Sequence, residues 1–168
     1  MIEKIERYYL EIKFLKNLKC KEILSEKYLL KLVDPIDFQL NKFLYKQVGN
    51  KYQWTDRLVW QDKDWIKYLS NKKIKTYVLK KNEDLVGYFE LILYQEQCEI
   101  AYFGILEEYF GKGLGGHLLT EAIKIGFKHD VKRIWVHTCS LDHPNAIENY
   151  KSRGMEIFKT EVLKRKIV

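Results

Sequence analysis

The six residues Gly111-Lys112-Gly113-Leu114-Gly115-Gly116 hold four of the chain's nine glycines. They stand between an apolar run that ends near residue 106 and a helical pattern that continues to Phe127. Glycines at such a junction let the backbone come close to a ligand, and the first N–H groups of the following helix point outward with partial positive charge. The junction is therefore a cradle for phosphate or pyrophosphate. Read as G-x-G-x-x-G, positions 111, 113 and 116 match the dinucleotide fingerprint, and Asp130 follows Gly111 by nineteen residues. Asp130, however, precedes the next strand instead of ending it. Only 168 − 116 = 52 residues follow the loop, too few for the rest of a dinucleotide domain. A P-loop needs Gly-Lys-Ser/Thr, and here Lys112 is followed by Gly113.

Around the loop the hydrophobic periodicity changes along the chain. Residues 6–15 and 27–33 read as short strands. Asp34-Pro35 opens a helix, with Asp34 as N-cap; Ile36, Leu40, Phe43, Leu44 and Val48 recur at helical spacing and Gly49 supplies the stop. Residues 50–61 form an aromatic-rich loop, and a short helix follows at Lys63–Ser70. Runs 74–81 and 85–94, joined through Asn82-Glu83-Asp84, read as a hairpin, and 97–106 is a third strand. After the helix at the glycine loop, 132–139 is a strand, Pro144 starts a helix with Asp142 as candidate cap and Gly154 ends it. Residues 155–167 close with one or two strands. The pattern is an α/β chain with a mixed sheet, and neither a repeat nor a linker divides residues 1–168, so one domain is expected.

Composition excludes several classes. At 46% hydrophobic residues with 24 aromatics spread throughout, the chain is not disordered. No run approaches a membrane span, and charges at Glu3, Lys4, Glu6 and Arg7 break any signal sequence, so no membrane association and a cytoplasmic location are expected. Three cysteines without CxxC spacing argue against a disulfide framework and a cysteine zinc site, and no histidine has metal-ligand spacing, so no metal is expected. The net charge of +7 favours an anionic partner.

The loop resembles the acyl-CoA motif of the GCN5-related N-acetyltransferases, Gln/Arg-x-x-Gly-x-Gly/Ala. Phe110-Gly111-Lys112-Gly113-Leu114-Gly115 matches both required glycines and departs at Phe110, where Gln or Arg is usual. Asn145-Ala146, Tyr150 and Gly154-Met155 are similar to the family's helix motif. The resemblance is specific over about residues 84–158 and architectural upstream. It implies a single-domain acyl-CoA N-acyltransferase fold: a mixed, mostly antiparallel sheet with a central splayed parallel pair (97–106 and 132–139) and helices on both faces. It also implies acetyl-CoA as acyl donor, bound by Phe103, Gly104, Ile105, Phe110, Gly111, Lys112, Gly113, Leu114, Gly115, Gly116 and Asn145. Residues 74–168 form the acyl-CoA core and residues 35–70 the wall for an amine acceptor.

Acetyl transfer to an amine needs a proton acceptor, because an amine of pKa about 10.4 is protonated at pH 7, and freeing its lone pair costs about 4.6 kcal/mol. It also needs N–H donors at the carbonyl oxygen and a proton for the departing thiolate. Glu99 is the base candidate. Strict alternation places it with Ala101, Phe103 and Ile105, an apolar face that would raise its pKa, although a β-bulge would reverse the facing. Glu90, with Tyr88 and Tyr94, is the second candidate, and a water chain the third. Backbone groups of Phe103, Gly104 and Ile105 are expected to pair with pantetheine as an added strand would. The resemblance makes Tyr150 the general acid and Asn145 a pantetheine contact.

Residues 52–60 combine aromatic rings with Asp56 and Arg57, enough to enclose an amine or a peptide N-terminus, or equally to anchor a long loop. The acceptor, a small molecule or a peptide or protein, stays open, as does a homodimer. Two other readings stand beside the enzyme. One is a catalytically weak acyl-CoA-binding regulator of the same fold. The other, disfavoured because lysines alternate with acids and the basic clusters are short, is a nucleic-acid-binding domain.

Overall fold

Seven strands form one sheet in the order β2-β3-β4-β5-β6-β1-β7. The structure is a computed structural model that describes residues 1–166. The strands are β1 (Ile2–Ile12), β2 (Tyr28–Leu32), β3 (Ile74–Lys81), β4 (Asp84–Leu93), β5 (Gln97–Ile105), β6 (Arg133–Cys139) and β7 (Glu156–Lys166). The helices are α1 (Phe38–Gly49), α2 (Asp62–Leu69), α3 (Leu114–Phe127) and α4 (Ala146–Ser152). All strand pairs are antiparallel except the central β5–β6 pair. The expected strand at 155–167 is the single strand β7, with residue 167 lying outside the described residues. Among the described residues no helix is long and apolar enough to cross a membrane.

Each helix is seated by the sequence around it. Helix α1 begins three residues later than the Asp34-Pro35 signal suggests, because Asp37 is the residue whose side chain accepts from a free first-turn N–H, Leu40 N at 3.0 Å. A capping box between Gln61 and Asp64 starts α2. Asp142 does not cap α4, which starts at Ala146. Its carboxylate accepts instead from Thr138 Oγ1 at 2.5 Å and from Cys139 N at 3.0 Å, closing the turn after β6.

The helices cover both faces of the sheet. Leu114, Leu118, Leu119, Ala122 and Ile123 of α3 and Tyr150 of α4 pack on Phe89, Leu91, Ile100, Ile134 and Val136. On the other face, Leu44 and Val48 of α1 pack on Val78 and Tyr88, and Tyr45 joins Trp65 and Leu69 of α2. Truncating one of the fully buried leucines to alanine removes about 2–5 kcal/mol, so these clusters set the geometry of what lies between them.

Two irregularities shape the centre. Glu90 pairs with Tyr102 but Leu91 pairs with Ile100, so β5 carries one extra residue, Ala101. Strands β5 and β6 pair only over residues 97–99 and 133–135 and then part. The slot between β6 and β7 is filled by the chain's first strand: β1 pairs with β6 from Arg7 to Ile12 and with β7 along nearly its whole length.

Candidate active site

A cleft of about 810 Å³ opens where β5 and β6 part, bounded by the glycine loop at one end and by the 50–61 loop and α2 at the other. Strand β5 forms one lip. Leu106 N donates to Val86 O at 2.8 Å. Because backbone groups alternate along a strand, the N–H groups of Phe103 and Ile105 then point away from β4, into the gap. The glycine loop forms the cradle: Gly111 and Gly113 have φ of 77° and 75°, the left-handed region that favours glycine, and Gly113 is the N-cap of α3. Phe110 packs edge-on against His143, with centroids 5.0 Å apart.

The structure gathers Glu99, Phe103, Gly104, Ile105, Phe110, Gly111, Gly113, Leu114, Gly115, Asn145 and Tyr150 around this cleft. Lys112 and Gly116 lie outside its lining. The Lys112 ammonium stands over the Tyr109 ring at 5.4 Å, and Gly116 makes room for other side chains. A Cβ on Gly116 would come within 2.3 Å of Arg153 Nη1 and 2.7 Å of Lys21 Cδ. Lys21 and Arg153 therefore flank the N-terminus of α3, a pair of cations absent from the motif because they come from the β1–β2 connection and the end of α4. Gly104 is explained by packing: its missing Cβ is the space that Val48 of α1 occupies, at 2.2 Å.

The extra residue at Ala101 reverses the facing of Glu99. Paired residues point to the same side, so Glu99 opposite Ile92 lies with Tyr102 and Gly104, whereas Phe103 and Ile105 face α3. The expectation that Glu99 shares a face with Ala101, Phe103 and Ile105 is thus corrected. Glu99 is nevertheless 9% exposed. Burial holds its carboxyl above the ordinary range, against the smaller opposing effects of the Tyr94 hydroxyl, which donates to it at 3.3 Å, and of Arg57. Glu90, the second candidate, is already paired. It is fully buried and accepts from Arg57 Nη1 at 2.9 and 3.0 Å, with Asn41 Nδ2 at 3.4 Å.

Arg57, which the sequence offers with Asp56 either as part of an amine enclosure or in a loop anchored by its aromatics, has a counter-ion that the sequence does not show. The loop 50–61 turns its side chain inward, 6% exposed, over the rings of Tyr102 at 4.1 Å, Tyr68 at 4.2 Å and Trp60 at 4.7 Å, with Glu90 as counter-ion. This pair ties the 50–61 loop to the floor of the sheet. The one arginine among the aromatics Tyr52, Trp54, Trp60, Trp65 and Tyr68 stands out in the sequence, but nothing local pairs it with Glu90 on a distant strand, and a loop arginine ordinarily points to water.

On the opposite wall, Tyr150 is 6% exposed and packs edge-on against Phe103, with centroids 6.2 Å apart. Burial, with Asp142 adding to it, raises the phenol pKa, so the hydroxyl keeps its proton. Asn145 stands at the N-cap of α4 without making a capping bond, which leaves its amide to the cleft. Asn149, one turn on, donates to Gly115 O at 3.1 Å and fastens α4 to the cradle. His137 lines the cleft with its side chain open to solvent, and its pKa is lowered first by the desolvating walls around it and then by Arg7. The arrangement offers an anion cradle, free strand N–H groups, a buried carboxyl and a buried phenol along one channel.

A family model described as the Acetyltransferase (GNAT) family matches residues 38–155. No match is found among curated proteins. Among solved structures, a GCN5-related N-acetyltransferase from Sphaerobacter thermophilus is 14% identical with a TM-score of 0.75, covering 96% of this chain and 51% of that one. One from Kribbella flavida is 16% identical with a TM-score of 0.68, covering 96% and 58%. An aminoglycoside acetyltransferase from an uncultured soil metagenomic sample, in complex with trehalose, is 12% identical with a TM-score of 0.66, covering 78% and 90%. The chain thus spans a little over half the length of the first two.

Proposed function

Because the chain belongs to the GNAT acetyltransferase family, we propose that it transfers an acetyl group from acetyl-CoA to a primary amine, in a small molecule or a peptide, by direct attack in a ternary complex. The observation that carries this reading is the parting of β5 and β6 directly above a glycine cradle, with a buried carboxyl on one side of the gap and a buried phenol on the other. Acetyl-CoA supplies an activated thioester. The residues present fit it. The N–H groups of the α3 N-terminus, with Lys21 and Arg153 beside them, suit a pyrophosphate, and the lip of β5 is an unpaired strand edge for pantetheine amides.

Each remaining requirement falls to a residue of this chain. Glu99, raised by burial and open to the cleft, takes the proton of the incoming ammonium. The N–H groups turned into the gap at Phe103 and Ile105 hold the donor and polarise its carbonyl. Tyr150 donates to the sulfur as it departs, and its raised pKa means that it does so as a firmly protonated hydroxyl.

The fold neighbour that acts on aminoglycosides is too distant to carry its substrate to this chain. The test is acetyl-CoA-dependent thiol release over a panel of amines and peptides, with wild type and Tyr150→Phe side by side. The account expects release with at least one amine, and a fall in kcat of about ten- to a thousandfold in the variant with CoA affinity nearly intact. Release by no amine sinks the enzyme reading in favour of a CoA-binding regulator, and equal turnover in the variant removes Tyr150 from the mechanism.

A further inference from the structure

The charges lining the acceptor half of the cleft fall into those already committed to one another and those left over. Arg57 is neutralised by Glu90. Arg165 donates to Gln53 O at 2.5 Å and Thr55 Oγ1 at 2.7 Å, with Asp56 at 3.9 Å. Asp142 is taken up by Thr138, Cys139 N and, at 3.4 Å, Trp54 Nε1. Lys21 belongs to the glycine-loop end, beside Gly113. Two groups remain: Glu99, whose one hydrogen-bond partner among the described residues is Tyr94, and Arg7.

Arg7 lines the same cleft from β1. Its Nε is buried and has no hydrogen-bond partner among the described residues. The nearby Glu161 is held by Lys159 at 2.7 Å and by the Tyr9 hydroxyl at 3.0 Å. Arg7 pairs with Cys139 and Glu99 with Trp135, two residues on one face of β6, so both side chains project to the acceptor face of the sheet. At about 3.3 Å per residue and about 4.8 Å per strand their Cα atoms lie about 16 Å apart, and both residues line the one cleft that opens where β5 and β6 part. That separation, less the reach of the two side chains, suits an acceptor no longer than a short peptide.

Building on the acetyltransferase reading, we propose that the acceptor is a small amine that also carries a carboxylate, with Arg7 binding the carboxylate while the amine faces Glu99. A guanidinium with unused donors matches a carboxylate in geometry and charge. One uncommitted cation suits a monoanion, and the arginines around it disfavour an acceptor with several ammonium groups. The β1 origin of Arg7 also gives the chain's first strand a part in substrate choice.

The experiment measures kcat/KM by thiol release for L-phenylalanine, phenylalanyl-alanine and 6-aminohexanoate, each against its own carboxamide, with spermidine as polycation. The expected result is a preference of about ten- to a hundredfold for the carboxylate form of at least one pair, the size of one lost charge-assisted hydrogen bond. The pair that responds tells a free amino acid from a peptide. In Arg7→Gln the two forms converge through a higher KM for the carboxylate form, and Arg7→Lys restores part of the difference. Equal use of both forms by wild type, or preference for spermidine, overturns the proposal while leaving the acetyltransferase reading intact. Failure of every amine, the carboxamides included, overturns that reading and the proposal with it.

Discussion

Glu99 owes its position to one extra residue. Without Ala101 in the register, strict alternation would turn its carboxyl toward α3 and away from the face that Arg57, Tyr68 and Tyr102 line. Burial raises its pKa, so the folded state holds the Glu99 proton more tightly than the unfolded chain does. The native state therefore loses stability as pH rises from the ordinary carboxylate range through the raised value, and an ionised Glu99 at neutral pH is a site held at the expense of stability. Glu99→Gln is expected to melt at a higher temperature than wild type at pH 7. It should also lose turnover by about a hundredfold near neutrality, a loss that shrinks toward pH 10, where the amine is already free. A pH-rate profile of both proteins beside their melting curves checks this, and a deficit of equal size at every pH would make Glu99 a structural residue. The place of Glu99 in the strand before the glycine loop was legible in the sequence, whereas its facing was not, because a bulge leaves no mark on local composition.

At the scale of elements, the glycine loop and α3 were the most legible. The positions 111 and 113 chosen for glycine are those with positive φ, and α3 covers Leu114–Phe127 as its periodicity indicates. Gly113→Val forces a β-branched residue into the left-handed region and brings its Cβ to 3.0 Å from Lys21 Cε. Such strain is worth about 1–3 kcal/mol. The variant is expected to melt lower by about 2–4 °C per kcal/mol and to bind CoA about ten- to a hundredfold more weakly, because the cradle and its cation move together. A variant that loses stability but keeps its CoA affinity would mean that the cradle does not hold the ligand. The starts of α1 and α4 were less legible, since Asp34 and Asp142 offer the capping chemistry that Asp37 supplies for α1, and only the fold decides which carboxylate meets a free N–H.

For the whole molecule, what escaped the sequence is what depends on distant pairing. The reading of 6–15 as a strand says nothing of its place between β6 and β7, where it joins residues at opposite ends of the chain and delivers Arg7 to the cleft. The same holds for Arg57, whose cage is assembled from α1, α2, β5 and the loop between the helices. Charge, by contrast, reads differently once the fold is known. Most of the +7 excess is dispersed surface, while Lys21 and Arg153 gather at one helix N-terminus and Arg7 at the other end of the same channel. One channel carries an anion cradle at one end and a buried carboxyl farther along, and CoA is the ligand that fits it. Calorimetric titration of the protein with CoA, NAD and ATP tests it most directly. One equivalent of CoA is expected to bind, at least about tenfold more tightly than NAD or ATP; tighter binding of NAD, or no binding of CoA, would overturn the CoA reading.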